Sequence, residues 1–204
     1  SPYASGPLRR DPSDRRLDAD PAYRAWYELA VRPTGISPRR ASVTLFIPNG
    51  VLNAKDFAAI TKLLKEFAIP AVRLTPEQNF LIPALDRSVL PALFRALQAL
   101  PLDLTFRSLA GQLECCIGST VCKIGILDAP RYGIAVAKAI ERELAKLPPE
   151  RRAGLRTKIL GAVHFSGCPN SCTAHQAVRF GFHGCRKMID GVATDAFVLC
   201  RRDP

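Results

Sequence analysis

Ser42-Val43-Thr44-Leu45-Phe46-Ile47-Pro48-Asn49-Gly50 opens as a β-rich run, closes as a turn and begins the most regular part of the chain. Asn53 is a good helix N-cap. Phe57, Ile60, Leu64 and Phe67 then recur at i, i+3, i+7 and i+10, which puts them on one helical face. Ala71–Thr75 reads as a short strand, Pro76-Glu77-Gln78-Asn79 as a turn, and Phe80–Ile82 as the returning strand. Asp86 or Ser88 caps a second helix with Leu90, Phe94 and Leu97 on one side, and a further strand is expected near Leu104–Arg107. The order β-α-β-β-α is that of a split βαβ, ferredoxin-like unit.

Outward from this unit the chain changes character. Residues 1–40 hold six of the 17 prolines and mix Arg with Asp; only Ala22–Val31, with Tyr23, Trp26 and Tyr27, looks able to dock. They are expected to form an extended arm ordered by another surface. Downstream, Gly111–Gly125 is rich in Cys and Gly. Tyr132, Val136, Ile140, Leu144 and Leu147 mark a long helix stopped by Pro148-Pro149. Lys158–Phe165 reads as a strand running into Ser166-Gly167-Cys168-Pro169-Asn170-Ser171-Cys172, and Val178–His183 and Ala196–Leu199 as strands about a turn at Asp190-Gly191. The expected fold class is α+β: an arm (1–40), a ferredoxin-like half-domain (41–107) and a mixed α/β domain (108–204).

Composition narrows the functional classes. The chain has 204 residues, 48% of them apolar and 23% charged, which suits a folded protein with a real core. No apolar run approaches the ~18 residues of a membrane span, and the start, Ser1-Pro2-Tyr3-Ala4, lacks the pattern of a signal peptide. The net charge of +11 favours anionic partners without choosing among them. Aromatic residues make up only 7%, and no basic stretch is interleaved with stacking residues, so a nucleic-acid module is disfavoured. Seven cysteines in a chain too long to need staples read as thiols or metal ligands in a reducing cytoplasm.

Four of these cysteines form two tight pairs, Cys116/Cys122 and Cys168/Cys172, each among small residues that let backbone wrap a bulky group and present its N–H donors. Four thiolates from two loops suit a 4Fe–4S cluster. Structural zinc also takes four cysteines, although the five-residue gap fits its hairpins less well; two disulfides and inert buried thiols are the remaining readings. Cys115, Cys185 and Cys200 read as structural, and His164, His175 and His183 as packing residues rather than ligands.

Cys116-Ile117-Gly118-Ser119-Thr120-Val121-Cys122 and His164-Phe165-Ser166-Gly167-Cys168-Pro169-Asn170-Ser171-Cys172 closely resemble the paired motifs of sirohaem-dependent nitrite and sulfite reductases. Arg73-Leu74-Thr75-Pro76-Glu77-Gln78-Asn79 is similar to that family's signature in its ferredoxin-like half-domain, and Phe180-Gly181-Phe182-His183-Gly184 to the segment after the second pair. The resemblance spans roughly Ser42 to Ala196. It implies a 4Fe–4S cluster coupled to sirohaem and a six-electron reduction of nitrite to ammonia or of sulfite to sulfide. It further implies that Cys116, Cys122, Cys168 and Cys172 hold the cluster, Cys172 shared with the sirohaem iron. Arg73, Thr75, Gln78, Asn79 and Asn170 would then lie near the sirohaem carboxylates. An acidic donor such as ferredoxin, or a reductase subunit, would supply electrons. Only the second half of the family's enzymes is matched, so a missing N-terminal half or a homodimer partner is expected, and no substrate-contacting catalytic residue can be placed. A precorrin-pathway monooxygenase on the same scaffold and a metal-stabilised basic module are the competing readings.

Overall fold

The computed structural model describes residues 19–35 and 37–202 and divides the chain into two compact units, one ending at Arg107 and the other beginning at Ser108. In the first unit, α1 (Pro21–Ala30) and β1 (Val31–Pro33) precede β2 (Arg40–Leu45), α2 (Ala54–Glu66), β3 (Arg73–Leu74), β4 (Phe80–Asp86) and α3 (Leu90–Gln98). The four strands form one antiparallel sheet in the order β1-β2-β4-β3. From β2 to α3 the order is the expected β-α-β-β-α of a ferredoxin-like unit, and the chain as a whole is α+β.

The local causes are plain. Ala41, Val43 and Leu45 alternate into the core along β2. The Asn53 side chain accepts from the Asp56 N–H at 2.9 Å and so starts α2. Asp86 caps the turn ahead of α3 by accepting from the Ser88 N–H at 2.9 Å, and Leu90, Leu93, Phe94 and Leu97 then fill the interior. In α2 the buried face is Ile60 and Leu63, whereas Phe57, expected inside, is 56% exposed.

Several expectations are corrected. The arm expected over 1–40 is, from residue 19 onward, part of the fold. Asp20 caps α1, Trp26 is 2% exposed, and Tyr23 and Trp26 pack on Phe94 with ring centroids 5.3 and 5.1 Å apart. Val31 of β1 pairs with Val43. The Arg/Asp-rich residues 1–18 lie outside the described residues. The strand near Leu104–Arg107 is instead irregular chain: Leu104 is buried and its carbonyl accepts from the Phe46 N–H at 3.1 Å.

The second unit holds β5 (Glu114–Cys115), α4 (Ala129–Leu144), α5 (Pro149–Ile159), β6 (Val163–Ser166), β7 (Phe180–Ile189) and β8 (Val192–Arg201), with sheet order β5-β6-β7-β8. The first two pairings are parallel and the last is an antiparallel hairpin. Pro148-Pro149 does not only end a helix: Pro149 opens α5 at its first position, where a missing N–H is harmless. The strand expected from Lys158 therefore begins only at Val163. One face of the sheet carries Val163, Phe165, Phe182 and Phe197, with Phe165 and Phe182 stacked at 4.5 Å and Phe197 edge-on to Tyr132 of α4. The other face carries Glu114, His164, Ser166, His183 and Cys200.

Candidate metal centre

The parallel pairing of β5 with β6 puts Cys115 opposite Phe165, and the chain leaves each strand straight into a cysteine loop. The loops are tied by backbone bonds. The Cys116 N–H donates to the Phe165 carbonyl at 2.9 Å, and the Ile126 and Leu127 N–H groups both reach the Gly167 carbonyl, at 3.0 and 2.9 Å. The Gly167 N–H in turn donates to Cys116 Sγ at 3.0 Å. Glycine is required here: a Cβ on Gly167 would stand 2.5 Å from the Leu127 carbonyl oxygen, and one on Gly118, at φ +67°, would stand 2.7 Å from the Ala129 nitrogen. Cys116 is thus joined to the residue preceding Cys168.

Within the first loop the Cys122 N–H bonds the Gly118 carbonyl at 2.9 Å, closing a tight turn. Cys168 is buried, Cys116 and Cys122 are half-buried, and Cys172 is exposed. Cys172 lies between two non-glycine residues with left-handed backbone, Ser171 (φ +58°) and Ala174 (φ +49°). Such conformations cost of order 1 kcal/mol each. They bend the loop so that Thr173 and His175 are buried while Cys172 faces out. Asn170 is exposed beside it. Ile117, Val121 and Ile124 are large exposed apolar residues around the first pair, with Lys123 exposed among them.

No three of the four motif sulfurs lie all within 4.8 Å of one another. A single tetrahedral zinc would draw its thiolates to roughly 3.8 Å separations, given Zn–S bonds near 2.3 Å.

In the first unit, Arg73 and Leu74 are exposed on the two-residue edge strand β3, and Thr75 and Gln78 are half-buried. Asn79 is buried, and its Oδ1 accepts from the Ile47 N–H at 2.8 Å. That bond occupies one lone pair of the oxygen; the amide NH₂ is the group Asn79 could offer to a carboxylate.

The polar face of the second sheet was not legible in advance. His164 Nδ1 lies 2.5 Å from the Thr173 carbonyl, which can only accept, so Nδ1 carries the proton. Its Nε2 lies 3.3 Å from Glu114 Oε2 without good hydrogen-bond geometry, and the two form an ion pair only when both ring nitrogens carry protons. Ser166 Oγ sits 2.9 Å from Thr173 Oγ1 and 3.0 Å from His175 Nδ1. Burial, and secondarily His183, hold the His175 pKa below the ordinary imidazole value. His175, His183 and Cys200, read from sequence as packing residues, approach one another closely.

The profile of the nitrite/sulfite reductase ferredoxin-like half domain matches residues 37–100. The chloroplast ferredoxin–nitrite reductase of Zea mays is 31% identical over 169 residues, which are 79% of this chain and 28% of that protein. Sulfite reductase (ferredoxin) 1 of Mycolicibacterium paratuberculosis is 26% identical over 135 residues, 66% of this chain and 23% of that one. The solved NirA protein of Mycobacterium tuberculosis shares the fold over 83% of this chain and 30% of its own, at TM-score 0.68 and 23% identity. The chain spans less than a third of the length of these relatives.

Proposed function

The chain belongs to the sirohaem nitrite/sulfite reductase family, and on that premise we propose that it is the cluster-bearing part of an oxidoreductase that reduces nitrite, or sulfite, by six electrons. Nitrite is the favoured substrate and ferredoxin the favoured donor, because the chain is similar to several ferredoxin–nitrite reductases. A further stretch of polypeptide, or a second copy, completes the enzyme.

Cys116, Cys122, Cys168 and Cys172 would hold the 4Fe–4S cluster in this reading, and Cys172 would also help to hold sirohaem. When bound, the two groups would supply stepwise one-electron transfer and an iron that takes up the anion. The chain's own residues do the rest. The Gly167 N–H withdraws charge from Cys116 Sγ and favours the more reduced state. Ile117, Val121, Lys123 and Ile124 are exposed in the first cysteine loop, where the apolar side chains would shield a bound cluster from water and the lysine would offset its negative charge. In the first unit Arg73, Thr75, Gln78 and the Asn79 amide offer a cation and donors to carboxylates; in the second, Asn170 does so.

The observation that carries this reading is the Gly167–Cys116 bond inside two loops laced together by main-chain contacts. Anaerobic reconstitution of the full chain with ferrous iron and sulfide tests it. About four irons and four sulfides per chain are expected, with an absorption that bleaches on reduction. Cys116→Ser and Cys168→Ser should each remove more than half of the iron. Iron uptake indifferent to all four single Cys→Ser changes would defeat the assignment. With a complementing half and sirohaem, nitrite and sulfite compared side by side against a reduced dye report the preferred anion.

A further inference from the structure

We propose that His175, His183 and Cys200 form a second metal site, for one zinc-class divalent ion, distinct from the four motif cysteines. One ligand atom from each residue lies within 4.8 Å of the other two, and among the described residues no other such group of His, Cys, Asp and Glu occurs.

The fold assembles these residues from three separate stretches of chain. Side chains alternate along β7, so Gly181 and His183 share a face; the hairpin register pairs Gly181 with Cys200 and so brings Cys200 to that same face. Gly181 makes room for the third residue. A Cβ there would stand 1.7 Å from the His175 carbonyl oxygen, so the turn His175–Ala177 rests directly on the strand. This sets the His175 and His183 rings 4.9 Å apart. The His175 ring is 1% exposed, and Ser166 Oγ holds its Nδ1 at 3.0 Å, with Thr173 Oγ1 behind at 2.9 Å. An outer hydrogen bond of this kind fixes a ligating imidazole and leaves Nε2 as its donor.

The donor set narrows the class of ion. Two imidazole nitrogens and one thiolate, with no carboxylate among them, suit zinc and disfavour magnesium or calcium. Three protein ligands leave a fourth position for water. Bond lengths of 2.0–2.3 Å in a tetrahedron ask for ligand separations of roughly 3.3–3.6 Å. Rotation of the half-buried His183 and Cys200 side chains closes the remaining ångström or so. Binding releases the Cys200 thiol proton to solvent and transfers no electrons. The ion would pin the turn that follows Cys172 to the sheet.

Zinc and iron are counted on the full chain after zinc loading and dialysis, and Co²⁺ replaces zinc as a spectroscopic probe. One zinc per chain is expected, with a rise in thermal midpoint on zinc addition. The cobalt form should show tetrahedral bands and a single thiolate charge-transfer band. Cys200→Ser and His183→Gln should each weaken zinc binding at least about 100-fold without lowering iron content, and Cys200→Ser should abolish the charge-transfer band. Cys185→Ser, on the same sheet face but outside the trio, should leave both unchanged. A four-thiolate cobalt spectrum, no zinc bound at micromolar concentration, or equal binding by the Cys200 and His183 variants would each overturn the proposal. The cobalt spectrum of the unaltered chain decides even if a variant fails to fold, and the site stands or falls independently of whether an iron–sulfur cluster assembles.

Discussion

Cys115 and Cys116 are neighbours with opposite surroundings. Cys115 turns toward α4, where its Sγ sits 2.4 Å from where a Cβ on Gly133 would be. Burial, then the charges of Cys116, Glu114 and Asp128, push its thiol up to about 12. It should stay protonated at pH 8 and resist iodoacetamide in the native, cofactor-free chain, while exposed Cys172 is labelled first; peptide mass mapping reads the order. Asp86 shows the opposite effect. The Ser88 backbone N–H, then the Ser88 hydroxyl, hold its carboxyl below the ordinary value of 3.8. A carboxylate lowered in the folded state contributes stability above its unfolded pKa and loses it as pH falls through the folded one. The stability gap between the protein and Asp86→Ala should therefore be full at neutral pH and shrink below about pH 4 in denaturant titrations. Residues of this kind were legible in the sequence because capping chemistry is local: Asn53 and Asp86 announce their roles within three positions. The His175, His183 and Cys200 trio was not, because it depends on hairpin register and on a missing side chain at Gly181.

Helix α1 shows where element-level reading succeeds and fails. Its aromatic cluster marked it as able to dock, but its partner Phe94 lies far along the chain, so a helix that seals a core read as the docking stretch of an extended arm. Trp26→Ala should cost about 3–5 kcal/mol in chemical denaturation, the loss expected of a fully buried large side chain and far more than a tail could show. Helix α5 was missed for another reason: its sequence, PERRAGLRTKI, is polar nearly all round and offers little apolar periodicity. Its Gly154 has open space where a Cβ would go, so Gly154→Ala should stabilise the protein by about 0.5–1 kcal/mol, read as a raised unfolding midpoint. By contrast the β2-to-α3 succession was legible almost entire, since each element carries its own cap, turn or alternation.

At the scale of the whole molecule the net charge of +11 is the dominant long-range property. On the proposed reading, encounter with an acidic electron donor should slow by about tenfold or more between 20 and 500 mM salt in stopped-flow measurements. Charge was available from composition; the main-chain bonds that lace the cysteine loops together were not, since they rest on pairing between distant strands. That pairing also orders events in time. The β7–β8 hairpin closes over Asp190 and Gly191, both at positive φ, whereas Cys115 meets Phe165 only across about fifty residues of chain. At a synthesis rate of about 5–20 residues per second, the thiols of Cys116 and Cys122 leave the ribosome several seconds ahead of their companions. Nascent chains therefore carry an unprotected pair open to oxidants and stray copper, and yield in a host cell should depend on how well its cytosol shields that interval.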